Sequence, residues 1–324
     1  MRLTSLAPTG SRLAQSPTPA TVRYRHLALL LPGISLVLAC TMQSVPRPLP
    51  HGDLDARRAE LRDAISEVGV QLRDESFPEA LSRAFGPEGF FTSAALDARG
   101  PGAARAWLMR DTLNAASHAA LRALFVDVSA DGEDGYAYGY LDVIRASGDT
   151  APGEFHGYWR RSTAGRWEIL ALARGRRATA SITRAPPEPF GRAAASAQFE
   201  RRTPAEVLRS LSAADQEFSD TCAASTRSHA FEAFAAPNSA KIGGDGAYVF
   251  GPQAIGRLFL QAPPGTFQWT PELAVSAASQ DLGFTIGHVV QGVEPPGRNP
   301  NAPRGRYLTV WRRQPDGRWR YVVD

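Results

Sequence analysis

The chain has 324 residues, more than one typical domain of roughly 100–200 residues, and its 43% hydrophobic and 21% charged content excludes a disordered chain. Its net charge of +4 equals the four arginines Arg2, Arg12, Arg23 and Arg25 of the first forty residues, which hold no acid; the remainder balances at zero. A folded part without basic excess lacks the phosphate-binding surface of a nucleic-acid protein, so no nucleic-acid partner is expected.

In chain order, the first signal is N-terminal. Arg23, Arg25 and His26 precede an apolar run from Leu27 to Ala39. A membrane-spanning helix needs about 17–25 residues, so this run fits a secretory signal instead. It ends V-L-A-C at Cys40 and looks like a bacterial lipoprotein signal, residues 1–40, in which Cys40 is lipidated and becomes the new N-terminus. That implies a membrane partner through a lipid anchor, and a place in the cell envelope, in the periplasm or at an outer membrane. Residues 41–52 hold three prolines and read as an extended tether. With Cys40 lipidated, Cys222 has no partner for a disulfide, and stability must come from packed cores.

Residues 53–183 form a first module and 204–324 a second, because the chain repeats itself. Y-W-R-R-S-T-A-G-R-W from Tyr158 matches V-W-R-R-Q-P-D-G-R-W from Val310. Upstream, G-P-G-A at Gly100 matches G-P-Q-A at Gly251, and G-Y-A-Y-G at Gly135 matches G-F-T-I-G at Gly283. The order is the same in both halves. The first module opens with a helix whose apolar side is Leu61, Ile65, Val68 and Leu72. D-G-E-D-G at Asp131 reads as a hairpin turn rather than a calcium loop, because Tyr136 stands where such a loop needs glycine. Residues 184–203 have linker composition.

The second module opens at Thr203-Pro204 with Glu206 completing a capping box. Val207, Leu211, Ala214, Phe218 and Cys222 then give one apolar helix face. A short helix around Phe231 and Phe234 ends at Pro237. Ala247–Phe250 reads as a strand and Pro252–Leu260 as a short helix. Strands are expected at Phe267–Thr270, Leu273–Ala277, Gly283–Gln291, Arg306–Arg313 and Arg318–Val323, the last two joined by the Q-P-D-G turn. Helices come first and an antiparallel meander follows, so the fold class is α+β, with helices buried on one face of a curved sheet.

The runs F-E-A-F-A-A-P-N, G-P-Q-A-I, F-Q-W-T-P-E-L-A-V-S-A, D-L-G-F-T and G-R-Y-L-T-V-W-R-R-Q-P-D-G-R-W-R-Y-V-V-D resemble SnoaL-like proteins, in a branch of unknown function within the nuclear transport factor 2-like superfamily. The resemblance covers Pro204–Asp324 and reaches the first module only through the repeat. It implies two tandem cones, each a bent antiparallel sheet wrapped by its N-terminal helices, with a pocket in the mouth. It also implies that modules pair through their sheets, within the chain or as a homodimer. Relatives include enzymes and non-enzymes, so the fold fixes no chemistry.

An isomerase-type site needs a carboxylate base and oxyanion donors. Asp281 and Asp220 are the acids available in the second module. Asp281 matches the family's usual G-D-L-G, with Gln280 replacing the glycine; a turn aspartate bonding its own backbone explains it equally well. His288 shares a strand face with Phe284 and Ile286 and is a second candidate base, with His156 its counterpart in the first module. No base–nucleophile pair, nucleophile elbow or phosphate loop is evident. The histidine spacings give no metal site, and no cofactor is expected. The tryptophan–arginine repeats place Trp311 inside and Arg312 in solvent. The leading expectation is therefore binding of a small apolar molecule, in a pocket of Trp269, Phe284, His288, Tyr307 and Trp311. The alternatives are an isomerase or hydrolase of a small hydrophobic carbonyl compound, using Asp281 or His288, and a non-catalytic interaction protein whose modules pair.

Overall fold

The computed structural model describes residues 48–93, 96–177, 200, 202–244, 246–262, 267–291 and 305–324. The signal segment with Cys40, most of the tether and most of the linker lie outside the described residues.

Each half starts from an amphipathic helix. Helix α1 (His51–Asp74) buries Leu61, Ile65, Val68 and Leu72; it takes in the last two residues read as tether. In the second half, α4 (Pro204–Ala224) buries Val207, Leu211, Phe218 and Cys222. Three- and four-residue steps put these side chains on one side of the helix. The capping box of α4 is formed. The Glu206 carboxylate accepts from the Thr203 N–H at 2.8 Å, and the Thr203 hydroxyl accepts from the Glu206 N–H. Two short helices follow in each half: α2 (Phe77–Arg83) and α3 (Gly100–Leu108), then α5 (Arg227–Phe234) and α6 (Pro252–Arg257). The repeated G-P step starts α3 and α6, with Gly100 and Gly251 at φ +78° and +80°, values that a Cβ disfavours.

The first sheet holds β1 (Phe85–Phe91), β2 (His118–Val128), β3 (Asp134–Ile144), β4 (Thr150–Ala151), β5 (Gly153–Arg161) and β6 (Trp167–Arg176), in the order β1-β6-β5-β3-β2, with β4 on β3. The second holds β7 (Ala235–Ile242), β8 (Tyr248–Phe250), β9 (Phe267–Ser276), β10 (Leu282–Gln291), β11 (Arg306–Arg313) and β12 (Trp319–Val323), in the order β8-β7-β12-β11-β10-β9. Two expectations need correction. The layout is not helices followed by a plain meander: β1 and β7 lie between helices and run parallel to the last strand of their sheet. And Phe267–Ser276 is one strand, bent at a bulge that passes over Glu272, not two.

The two halves agree down to their irregularities. Gly135 pairs with Trp159 and Gly283 with Trp311. Ala123 pairs with Gly139 and Phe125 with Tyr138, skipping Leu124; Pro271 pairs with Gly287 and Leu273 with Ile286, skipping Glu272. Trp159 pairs with Ile169 and Tyr158 with Ala171; Trp311 pairs with Tyr321 and Val310 with Val323. Bulges fix local twist and register, so sharing two of them at matching places makes the halves two copies of one unit. Trp159 and Trp311 therefore occupy equivalent strands, as do Trp167 and Trp319.

The helices cover the inner face of each sheet, and the outer faces pack on each other. Phe90, Tyr136, Tyr138 and Tyr158 of the first sheet share one apolar cluster with Leu282, Phe284, Ile286 and Val310 of the second. The hairpin turns 128–135 and 276–283 meet reciprocally. The Ala130 N–H donates to Asp281 at 3.1 Å, and the Ser279 N–H donates to Asp131 at 3.0 Å. Arg312 is not solvated, contrary to expectation. It is 6% exposed and donates to Asp281 at 2.7 Å, Asp127 at 3.0 Å and the Val128 carbonyl at 2.9 Å. An outward side chain on a strand reaches solvent only if nothing packs there, and here the other sheet does.

Candidate functional site

A cavity of about 360 Å³ opens on the inner face of the second sheet. Its apolar wall includes Phe231 of α5, Phe259, Phe267 and Trp269 of β9, Val289 of β10 and Tyr307 of β11. The opposite wall comes from the first copy, through Thr92, Glu154, His156 and Arg174. His156 ties the walls together, its Nε2 lying 2.7 Å from the Leu308 carbonyl oxygen. A carbonyl only accepts, so Nε2 carries the proton. The second copy also reaches back, with the Tyr248 hydroxyl donating to the Phe155 carbonyl at 2.9 Å.

Beneath the aromatic wall lies a buried carboxylate that the sequence reading did not single out. Asp215 of α4 is 0% exposed. It accepts from Trp269 Nε1 and from the Tyr307 hydroxyl, each at 2.7 Å. Burial pushes its carboxyl up to about 6, against the hydrogen bonds from Tyr307, Trp269 and Thr285. Thr285 in turn accepts from Trp311 Nε1 at 2.8 Å. With all these donors on it, Asp215 orients the two aromatics that face the cavity rather than reaching the cavity itself. The matched registers identify its counterparts. Leu121, Ala137 and Phe155 of the first copy stand where Trp269, Thr285 and Tyr307 stand in the second, and Ile65 stands where Asp215 does, each four residues after the leucine (Leu61 or Leu211) that meets Gly135 or Gly283. There they belong to a continuous apolar core. Aligning the copies would have exposed Asp215 as a polar residue at a core position.

The five residues expected to line one pocket do not come together. Trp269 and Tyr307 line the cavity. Trp311 shares their sheet face but is fully buried under α4, 6.2 Å from Phe218 ring to ring. Phe284 and His288 lie on the other face. Phe284 packs 4.9 Å from Tyr158 of the first copy. His288 is partly exposed beside Glu272, its Nδ1 3.0 Å from a carboxylate oxygen, and Arg306 holds the same carboxylate at 2.6 Å. Alternation within β10 and within β11 is as read. The sequence did not relate the two strands, and in the register Phe284 pairs with Val310, not with Trp311.

Asp281 is sealed between the sheets, accepting from Ser279 and Ala130 and paired with Arg312; burial raises its carboxyl and Arg312 opposes that. It does not line the cavity. Gln280 beside it stands at φ +63°, where the first copy has Gly132 at φ +70°. Its amide group bonds both backbone groups of Arg202, which offsets the cost of a left-handed residue. Cys222 is buried and burial raises its thiol, as befits a core residue. Among the described residues no group of three His, Cys, Asp or Glu side chains is placed to hold a metal ion, and no helix is long and apolar enough to cross a membrane.

No family model matches the chain, and no curated protein matches it by sequence. Solved structures do. An NTF2-like protein with a cystatin-like fold from Novosphingobium aromaticivorans is 24% identical, with a TM-score of 0.30 over 38% of this chain and 82% of that one. A protein from Catenulispora acidiphila in complex with S-DNPA is 18% identical, with a TM-score of 0.30 over 38% and 94%. An NTF2-like superfamily protein from Salmonella enterica serovar Typhimurium is 15% identical, with a TM-score of 0.31 over 40% and 96%.

Proposed function

We propose that this chain is an exported, lipid-anchored protein that binds a small apolar molecule in the cavity on the inner face of its second sheet. The observation that carries the reading is the cavity itself. Part of its wall is aromatic and aliphatic, charged and polar side chains line the rest, and two of its aromatics are held in place from behind by Asp215. Small-molecule sites have this make-up. Its volume is at the lower end of the roughly 300–1,000 Å³ usual for them, so the occupant is small. Catalysis by Asp281 or His288 is disfavoured, because one is sealed in the sheet contact and the other faces away from the cavity.

Calorimetric titration with 1-decanol tests the binding reading. The full chain should bind one equivalent. Val289→Trp should abolish binding by filling the cavity while thermal melting stays close to wild type. No heat with wild type from decanol or from its carboxylate analogue decanoate, or equal binding by the variant, would sink the reading. The anchor rests on the basic flank, short apolar run and V-L-A-C ending at Cys40. In bacterial expression the wild type should partition into detergent and Cys40→Ala should not; a Cys40→Ala protein that still partitions, with unchanged mass, contradicts it.

A further inference from the structure

The proposed ligand carries a feature that the cavity's charges identify. Lys241 lies 2.5 Å from the Asp324 carboxylate. Arg306 is held by Glu272, and Arg174 donates to the Leu141 and Ala151 carbonyls, each at 3.3 Å. His156 is engaged by Leu308. Arg227, the first residue of α5, differs from all of these. Among the described residues it has no carboxylate partner, and its Nε is buried with no hydrogen-bond acceptor. Its guanidinium lies 4.1 Å from the centre of the Phe267 ring and 5.7 Å from that of Phe259, both cavity residues. Its polar neighbour is the Cys222 thiol.

A buried guanidinium N–H without an acceptor is costly, and each one in a folded chain calls for an explanation. Its place in the first copy is taken by Phe77, which is 1% exposed and part of the apolar core. The first copy's own cleft, lined by Phe77 with Trp107, Arg110 and Arg145, thus has no cation at this place. The Phe267 ring holds the guanidinium beside the cavity, and a guanidinium fork matches a planar carboxylate. We infer that the cavity takes a small monocarboxylate, whose apolar body lies against Trp269 and Tyr307 and whose carboxylate accepts hydrogen bonds from Arg227. This rests on the cavity being a ligand site, as proposed above.

The test compares decanoate with 1-decanol, chains of equal length differing in charge, by calorimetry on the full chain, Arg227→Gln and Arg227→Lys. Decanoate should bind wild type about tenfold or more tighter than decanol, the scale of a charged hydrogen bond. Arg227→Gln should erase that preference and leave decanol affinity within about twofold, with Arg227→Lys restoring part of it. Thermal melting of each variant confirms that it is folded. Equal binding of the two ligands by wild type overturns the carboxylate inference and leaves the cavity reading standing. So does a preference that survives in Arg227→Gln. If neither ligand binds wild type, the cavity reading itself fails.

Discussion

Asp215 shows how a carboxylate can be buried beneath an aromatic wall. In the unfolded chain its carboxyl ionises near the ordinary 3.8, and in the fold near 6. Between those values the folded protein keeps a proton that the unfolded chain has released. Stability from this group therefore falls as pH rises from about 4 to about 6, and is level above. The whole interval corresponds to about 3 kcal/mol. Asn at this site can still accept from Trp269 and donate to the Tyr307 oxygen, without a charge to bury. Asp215→Asn should thus gain on wild type across that pH range, by an amount of this order, in urea unfolding followed at pH 4 and pH 7.5. A difference that does not change with pH would mean that Asp215 is ionised throughout. The sequence hid this residue inside a stripe that was otherwise legible. Leu211 and Phe218 mark the buried side of α4, and an aspartate four residues after Leu211 breaks no three-and-four pattern strongly enough to be noticed. Trp269 and Tyr307 were legible as large aromatics on strands. The partners that turn them toward a cavity were not, because Asp215 is more than 50 residues away in sequence from either.

Helix and sheet approach each other closely in both copies, and the same two glycines permit it. A Cβ on Gly135 would lie 2.6 Å from Leu61 Cδ2 and 2.9 Å from the Asp127 carbonyl oxygen. On Gly283 it would lie 2.8 Å from Leu211 Cδ2 and 2.6 Å from the Val275 carbonyl oxygen. A leucine tip can move, but a strand carbonyl moves only with its strand. Gly135→Ala and Gly283→Ala should each cost about 1–3 kcal/mol in chemical unfolding. Gly102→Ala, in α3 with open space around its Cβ, should instead gain up to about 1 kcal/mol. If all three behave alike, close packing is not what holds these glycines. The two motifs containing Gly135 and Gly283 were visible as a repeat, so the shared strands were legible. β7 was not, for a local reason. A-A-P-N-S-A-K-I has no apolar alternation, and it carries Pro237 in the stretch that bulges between its pairings to Tyr321 and Val323. Its parallel partner residues, Tyr321 and Val323 of β12, are more than 80 residues away in sequence. β1 is built the same way around Pro87, so even the repeat offered no clearer copy to read.

The two copies differ in how their inner faces are filled. The first fills its inner face with Ile65, Leu121 and Phe155 and lends its edge as a wall; the second keeps polar groups in the core and a space above them. Their outer faces are joined by an apolar cluster and by Arg312, whose two carboxylate partners Asp127 and Asp281 come one from each copy. That arrangement explains why the tryptophan–arginine repeat misled at one residue. Strand alternation gives the side of the sheet correctly, yet only the other copy decides whether that side meets water. It also makes the cavity a property of the whole chain, since Glu154, His156 and Arg174 complete what the second sheet begins. A crystal structure of the full chain grown with decanoate addresses this arrangement head-on. The alkyl chain should lie between Trp269, Tyr307 and the first copy's wall at His156, with its carboxylate on Arg227. Decanoate bound instead in the arginine-lined cleft of the first copy near Trp107 and Arg145, or a cavity left empty at saturating decanoate, would contradict it.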